Sequence, residues 1–247
     1  MPQLTPPNIF FFIPNLIGYT RILLATLSLY YMPTQPLLCT LLYTASSLLD
    51  ALDGLAARHF NQSTRFGAVL DMLIDRCATT CLLIFLASVF PTCGMVFQGL
   101  ISLDFASHFA HMYATLVMGG TGRSHKSVDA AWPWVLRGYY SNLTVLFTIC
   151  TLNELFFITV YLLSFSDDDS ASLISGWWVS RDRGGIGMRR ENTINSYWPT
   201  VFFYISLPFM LYKQYINVLQ LVYASRWIAQ GDVEARVHDE SMQGKGE

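Results

Sequence analysis

Long apolar runs broken by short polar ones organise the 247 residues of this chain. The first, 9–13, is aromatic, lies between prolines and is too short to span a bilayer, so it predicts an interfacial helix. Six longer runs follow, at about 15–31, 37–58, 66–90, 95–118, 138–165 and 197–223, the last bent at Pro208. Each is long enough to cross a membrane as a helix, which puts both termini on one side. Polar segments at 59–65, 119–137 and 166–196 and a tail at 226–247 separate or follow them. The expectation is an all-α integral membrane protein of about six transmembrane helices, forming one domain over 1–247 with no internal repeat.

Composition agrees. Hydrophobic residues make up 53% and charged residues 13%, against about 25% charged in soluble domains. A net charge of −2 gives no basic surface for nucleic acid. Cys39, Cys77, Cys81, Cys93 and Cys150 are scattered through apolar runs and read as small fillers. The start lacks the basic residues of a cleavable signal peptide, and Pro14 breaks its first apolar run. Basic residues set the orientation. Arg58, Arg65, Arg123, Lys126, Arg137, Arg226 and Arg236 lie on one side and the two short opposite turns carry none, placing the former in the cytosol. The segment 166–196 dissents with Arg181, Arg183, Arg189 and Arg190, partly offset by Asp167, Asp168 and Asp169.

Within this apolar pattern sit four carboxylates. Asp50 and Asp53 end the second run, and Asp71 and Asp75 begin the third. Spacings of three and four place each pair on one helix face, and the turn at 59–65 folds the two faces together. Like charges about 4 Å apart repel by roughly 4 kcal/mol at an effective dielectric of about 20, so four of them demand protonation or cations. Oxygen-only ligands favour Mg²⁺ or Mn²⁺, and two ions would clamp a diphosphate. Four solvated acids would suit a soluble hairpin, but here the flanks read LLYTASSLL and CLLIFLASVF. Arg21, near the start of the first span, either snorkels or faces the acids. Gly54 and Gly67 clear space for a ligand near backbone, Ala57 keeps the face low, and Arg58 offers a fork for phosphate. Singly, each has a packing or topology reading as well.

The spacing D-x2-D-G-x2-A-R-x8-G-x3-D-x3-D, carried by Asp50, Asp53, Gly54, Ala57, Arg58, Gly67, Asp71 and Asp75, resembles the signature of the CDP-alcohol phosphotransferases. That resemblance implies a membrane enzyme of phospholipid synthesis moving a phosphatidyl group from CDP-diacylglycerol to an alcohol, with release of CMP. It implies metal ligation by Asp50, Asp53 and Asp71, with Asp75 at the metal site as the base that deprotonates the alcohol. Gly54, Arg58, Thr64 and Gly67 would bind the CDP-lipid. Segments 14–22, 103–116, 123–129, 146–157 and 216–221 are similar to the eukaryotic, notably fungal, members that use inositol. The similarity spares the 166–196 segment and the tail, and the turn 119–123 is longer than the pattern. It further implies a homodimer in the endoplasmic reticulum membrane.

Two polar faces fit a polyol acceptor: Asp104, His108 and His111 on the fourth span, and Lys213, Asn217 and Gln220 on the sixth. With Lys126, the residues His108, His111 and Lys213 are the candidate inositol ligands. The Asp-His-His set also reads as a third metal site, or both faces as a structural interhelical network. Other acceptors of the family, glycerol phosphate, serine or choline, form the alternative. A different class, an ion-coupled transporter using intramembrane acids such as Glu154, is opposed by the gathering of the acids at one membrane face.

Overall fold

The computed structural model describes residues 8–118, 134–166 and 194–243. Helices account for nearly all of them: α1 (Ile13–Tyr31), α2 (Pro36–His59), α3 (Arg65–Val89), α4 (Gly94–Met118), α5 (Trp134–Ser141), α6 (Leu143–Leu163) and α7 (Tyr197–Gln243). Short 3-10 turns occur at Ile9–Phe11 and Pro91–Cys93. Among the described residues there is no strand, only an isolated bridge between Ser166 and Ile194. α3 and residues Thr144–Leu163 of α6 are long and apolar enough to cross a membrane. Large apolar side chains such as Leu23, Tyr30, Leu37 and Leu41 are exposed along α1 and α2, as a lipid-facing surface requires.

Local chemistry explains the boundaries. Proline near the start of α1 and α2 supplies a helical φ where no N–H partner is needed. α2 ends in a Schellman turn: Asn61 adopts φ 52°, its N–H donates to the Arg58 carbonyl, and Gln62 N–H donates to the Ala57 carbonyl at 2.9 Å. Thr64 then caps α3, its Oγ1 accepting from Gly67 N–H at 3.0 Å. Two tight caps thus hold the α2–α3 turn that brings both halves of the acidic motif together.

Two spans differ from expectation. The run 138–165 is divided at Asn142, whose Oδ1 accepts from Thr144 and Val145 N–H and starts a new helix. An apolar pattern does not register a break that one polar side chain can cap. α7 runs through Pro208 to Gln243, beyond the predicted end at 223. Polarity ends the apolar run there, but Ala, Arg, Gln and Glu sustain a helix in water equally well.

The chain divides into two compact units, Met1–Gln98 with Leu155–Tyr204, and Gly99–Glu154 with Ile205–Glu247. In the first, α1 packs along α2 and α3. An added Cβ on Gly18 would lie 3.2 Å from Leu70 Cδ2, so α1 approaches α3 closely there. Tyr161 donates to the Met32 carbonyl at 2.7 Å and packs edge-on to Phe85, tying α6 to the α1–α2 turn. The second unit is centred on Leu136, Tyr139, Ile149 and Ile216.

Candidate acidic centre and cleft

Asp50 and Asp53 descend from the last turns of α2, and Asp71 and Asp75 from the first turns of α3. Asp50, Asp53 and Asp71 each offer an oxygen within 4.8 Å of the others, and among the described residues this is the group of three or more potential metal ligands that converges. Asp104, His108 and His111 form no such group, which removes the third-metal reading among those residues. Asp75 stands beside the trio, with Arg76 Nη2 3.6 Å from its Oδ2.

The guanidinium of Arg21 lies among the acids, 1% exposed. Its Nη1 donates to Asp53 at 2.6 Å and to Asp71 at 2.7 Å, while Nη2 donates to Asp75 and lies 2.7 Å from Asp50 Oδ1. Of the two sequence readings of Arg21, the structure selects the one in which it faces the cluster. Four carboxylates still outnumber the two arginines by two charges. Asp50 Oδ1 is buried and accepts no hydrogen bond despite its ion-pair contact. The Asp71 side chain, 45% exposed, leaves the cluster open on one side. An all-oxygen set with surplus negative charge fits a hard divalent cation.

Beside the trio lies a cleft of about 170 Å³, lined by Asn15, Asp53, Gly54, Thr64, Gly67 and Asp71 among others. A Cβ on Gly67 would sit 3.1 Å from Asn15 Oδ1 and 3.2 Å from Thr64 Oγ1, so a larger residue would push these two side chains aside. A Cβ on Gly54 would meet the Arg58 guanidinium at 3.7 Å. Thr64, singled out as a lipid contact, also serves as the helix cap described above. Asn15, polar at the start of the first span, and Gly18 and Gln62 had no site role in the sequence reading. Asn15 donates to the Ile9 carbonyl at 2.7 Å and Gln62 Oε1 accepts from Ile13 N–H at 3.0 Å, fastening the N-terminal segment across the cleft's edge. The available signal was a buried-type asparagine directly after Pro14, where the first apolar run begins.

In the second unit the two predicted polar faces meet. Asn217 donates to Asp104 Oδ1 at 3.4 Å and Gln220 to the Ser107 carbonyl at 3.3 Å. His108 Nδ1 is 2.8 Å from the Asp104 carbonyl, His111 stacks on Tyr140, and Lys213 Nζ is 5.3 Å from the Tyr139 ring centre. The side-chain oxygens of Asn217 and Gln220 are buried without partners. Lys126 lies outside the described residues, as do the turn 119–123 and most of the segment 166–196.

Fold and site together define a helical protein with two membrane-capable helices among the described residues and an acidic centre, able to hold a cation, on paired helices. The profile of the family described as CDP-alcohol phosphatidyltransferase matches residues 11–117. Relatives bearing the name CDP-diacylglycerol–inositol 3-phosphatidyltransferase match almost end to end. The one from Schizosaccharomyces pombe is 46% identical, over 93% of this chain and 94% of its own. That from Rattus norvegicus is 43% identical, over 93% and 96%, and that from Saccharomyces cerevisiae 40%, over 94% and 92%. No solved structure matches. The chain belongs to the CDP-alcohol phosphatidyltransferase family.

Proposed function

We propose that the protein transfers the phosphatidyl group of CDP-diacylglycerol to myo-inositol, giving phosphatidylinositol and CMP. The observation that carries this is the identity of 40–46% with relatives named for that reaction, over more than nine-tenths of the chain. Asp50, Asp53 and Asp71, with Asp75, hold the metal; Mg²⁺ or Mn²⁺, as two ions, supplies charge neutralisation for the diphosphate and its leaving oxygen. Gly54 and Gly67 let the donor's nucleotide approach the helix backbones in the cleft, where Thr64 also contacts it, and Arg58 pairs with its phosphate. Asp75 takes the proton from an inositol hydroxyl, whose oxygen bonds to the phosphorus bearing the diacylglycerol as the bond to CMP breaks. His108, His111, Lys126 and Lys213 bind the polyol. The protein works as a homodimer in the endoplasmic reticulum membrane, with six crossings, an N-terminal interfacial helix and the acidic centre facing the cytosol.

CMP release from labelled CDP-diacylglycerol, followed with purified protein against inositol, glycerol 3-phosphate, serine and choline, tests this reading. Release is expected with inositol alone, lost in excess EDTA and restored by Mg²⁺ or Mn²⁺. Preference for another alcohol overturns the acceptor, and full turnover in EDTA overturns the metal.

A further inference from the structure

We propose that Arg21 is the resident counter-cation of the acidic centre: it holds the four carboxylates together before metal arrives, then competes with the metal for them. The inference rests on the reading that the cluster binds a divalent cation. Three observations carry it. First, the two Nη atoms divide the acids between them, Nη1 serving Asp53 and Asp71, and Nη2 serving Asp50 and Asp75. The planar fork of arginine has this geometry, and the point charge of lysine does not. Secondly, the placement is built into the helix. Gly18 and Arg21 are three residues apart on one face of α1; the bare Gly18 brings α1 against Leu70, and Ser46 Oγ donates to the Arg21 carbonyl at 3.0 Å. Thirdly, burial to 1% exposure excludes a snorkelling or topology-setting role.

The physical consequence is a trade. Without the guanidinium, four converging acids repel at short range, so the metal-free protein loses stability. Arg21 contacts an oxygen of each of Asp50, Asp53 and Asp71, the three carboxylates that converge as potential metal ligands. Removing a positive charge from their midst therefore strengthens metal binding. Arg21 is on this argument a positioning residue, whose loss moves the metal-free and metal-bound proteins in opposite directions.

The experiment measures Mn²⁺ affinity by electron paramagnetic resonance and melting temperature in EDTA and in Mn²⁺, on detergent-purified wild type, Arg21→Gln and Arg21→Lys. Neither readout needs turnover. Arg21→Gln is expected to melt roughly 5 °C or more below wild type in EDTA, to bind Mn²⁺ about tenfold or more tightly, and to recover most of its stability when Mn²⁺ is added. Arg21→Lys is expected to lie between. Unchanged or weaker Mn²⁺ binding in Arg21→Gln overturns the proposal. If that variant is recovered folded only in Mn²⁺, the proposal stands. If it folds in neither condition, adding Asp75→Asn removes one uncompensated charge and is expected to rescue folding, and failure of that rescue overturns it. Wild type that binds no Mn²⁺ overturns the metal reading, and this inference with it.

Discussion

Asp75 differs from the other three acids in its surroundings. Asp50, Asp53 and Asp71 present oxygens to one another, whereas Asp75 has a second arginine, Arg76, beside it in addition to the shared Arg21, and its backbone carbonyl accepts from Thr79 Oγ1 at 3.0 Å. In the proposed mechanism Asp75 is the base, and a positioned proton transfer contributes about 10² to 10⁴-fold. Asp75→Asn, nearly the same size, is expected to lower kcat by at least about 10²-fold while binding of CDP-diacylglycerol persists. Parallel loss of lipid binding would show Asp75 to be chiefly a metal ligand. The pairing of all four acids was legible from spacing alone. Their contacts with Arg21 and Arg76 were not, because spacing along a helix says nothing about which neighbouring cation each side chain reaches.

Between helices, the polar faces of α4 and α7 have two separable readings, an interhelical clasp and a polyol site. Asn217 bridges to Asp104 and Gln220 to Ser107, so part of the stripe is an interhelical clasp. On the same two helices His111 stacks on Tyr140 and Lys213 Nζ lies over the Tyr139 ring, and these are the residues proposed to meet the polyol. The two uses separate on measurement. Asn217→Ala is expected to lower the melting temperature, since it leaves a buried Asp104 oxygen short of a donor. His108→Ala, His111→Ala and Lys213→Ala are expected to raise the KM for inositol, by about 1–3 kcal/mol per lost bond, with the KM for CDP-diacylglycerol little changed. If all three lose stability and weaken both substrates together, the stripe is a clasp throughout. Helical periodicity disclosed both faces in advance. That Asp104 and Asn217 meet depended on the rotation of each helix about its axis, which packing sets.

For the molecule as a whole, orientation across the membrane is the property most open to direct test. Arg58 and Arg65, which flank the turn between α2 and α3, are among the basic residues that predict a cytosolic acidic centre, and Ser63 within the turn is exposed. Ser63→Cys, a near-isosteric change, is expected to react with a membrane-impermeant maleimide in intact, cytosol-side-out microsomes, above the background of wild type. Labelling that appears only after permeabilisation would place the centre on the lumenal side.

The apolar runs, the capped α2–α3 turn and the acid quartet are written in local order, because helix length, capping and same-face spacing involve residues a few positions apart. Most helix limits and the acidic motif could therefore be read along the chain. The break at Asn142 and the course of α7 to Gln243 could not, since hydropathy tracks burial in lipid and not backbone hydrogen bonding. Nor could Arg21's choice of four partners between 29 and 54 positions away, or Asn15 reaching the cleft beside Gly67. Those contacts join segments whose approach is decided by how closely α1 seats against its neighbours. That distance depends on the bare Cα of Gly18 meeting Leu70, a fact that exists only once the helices are packed.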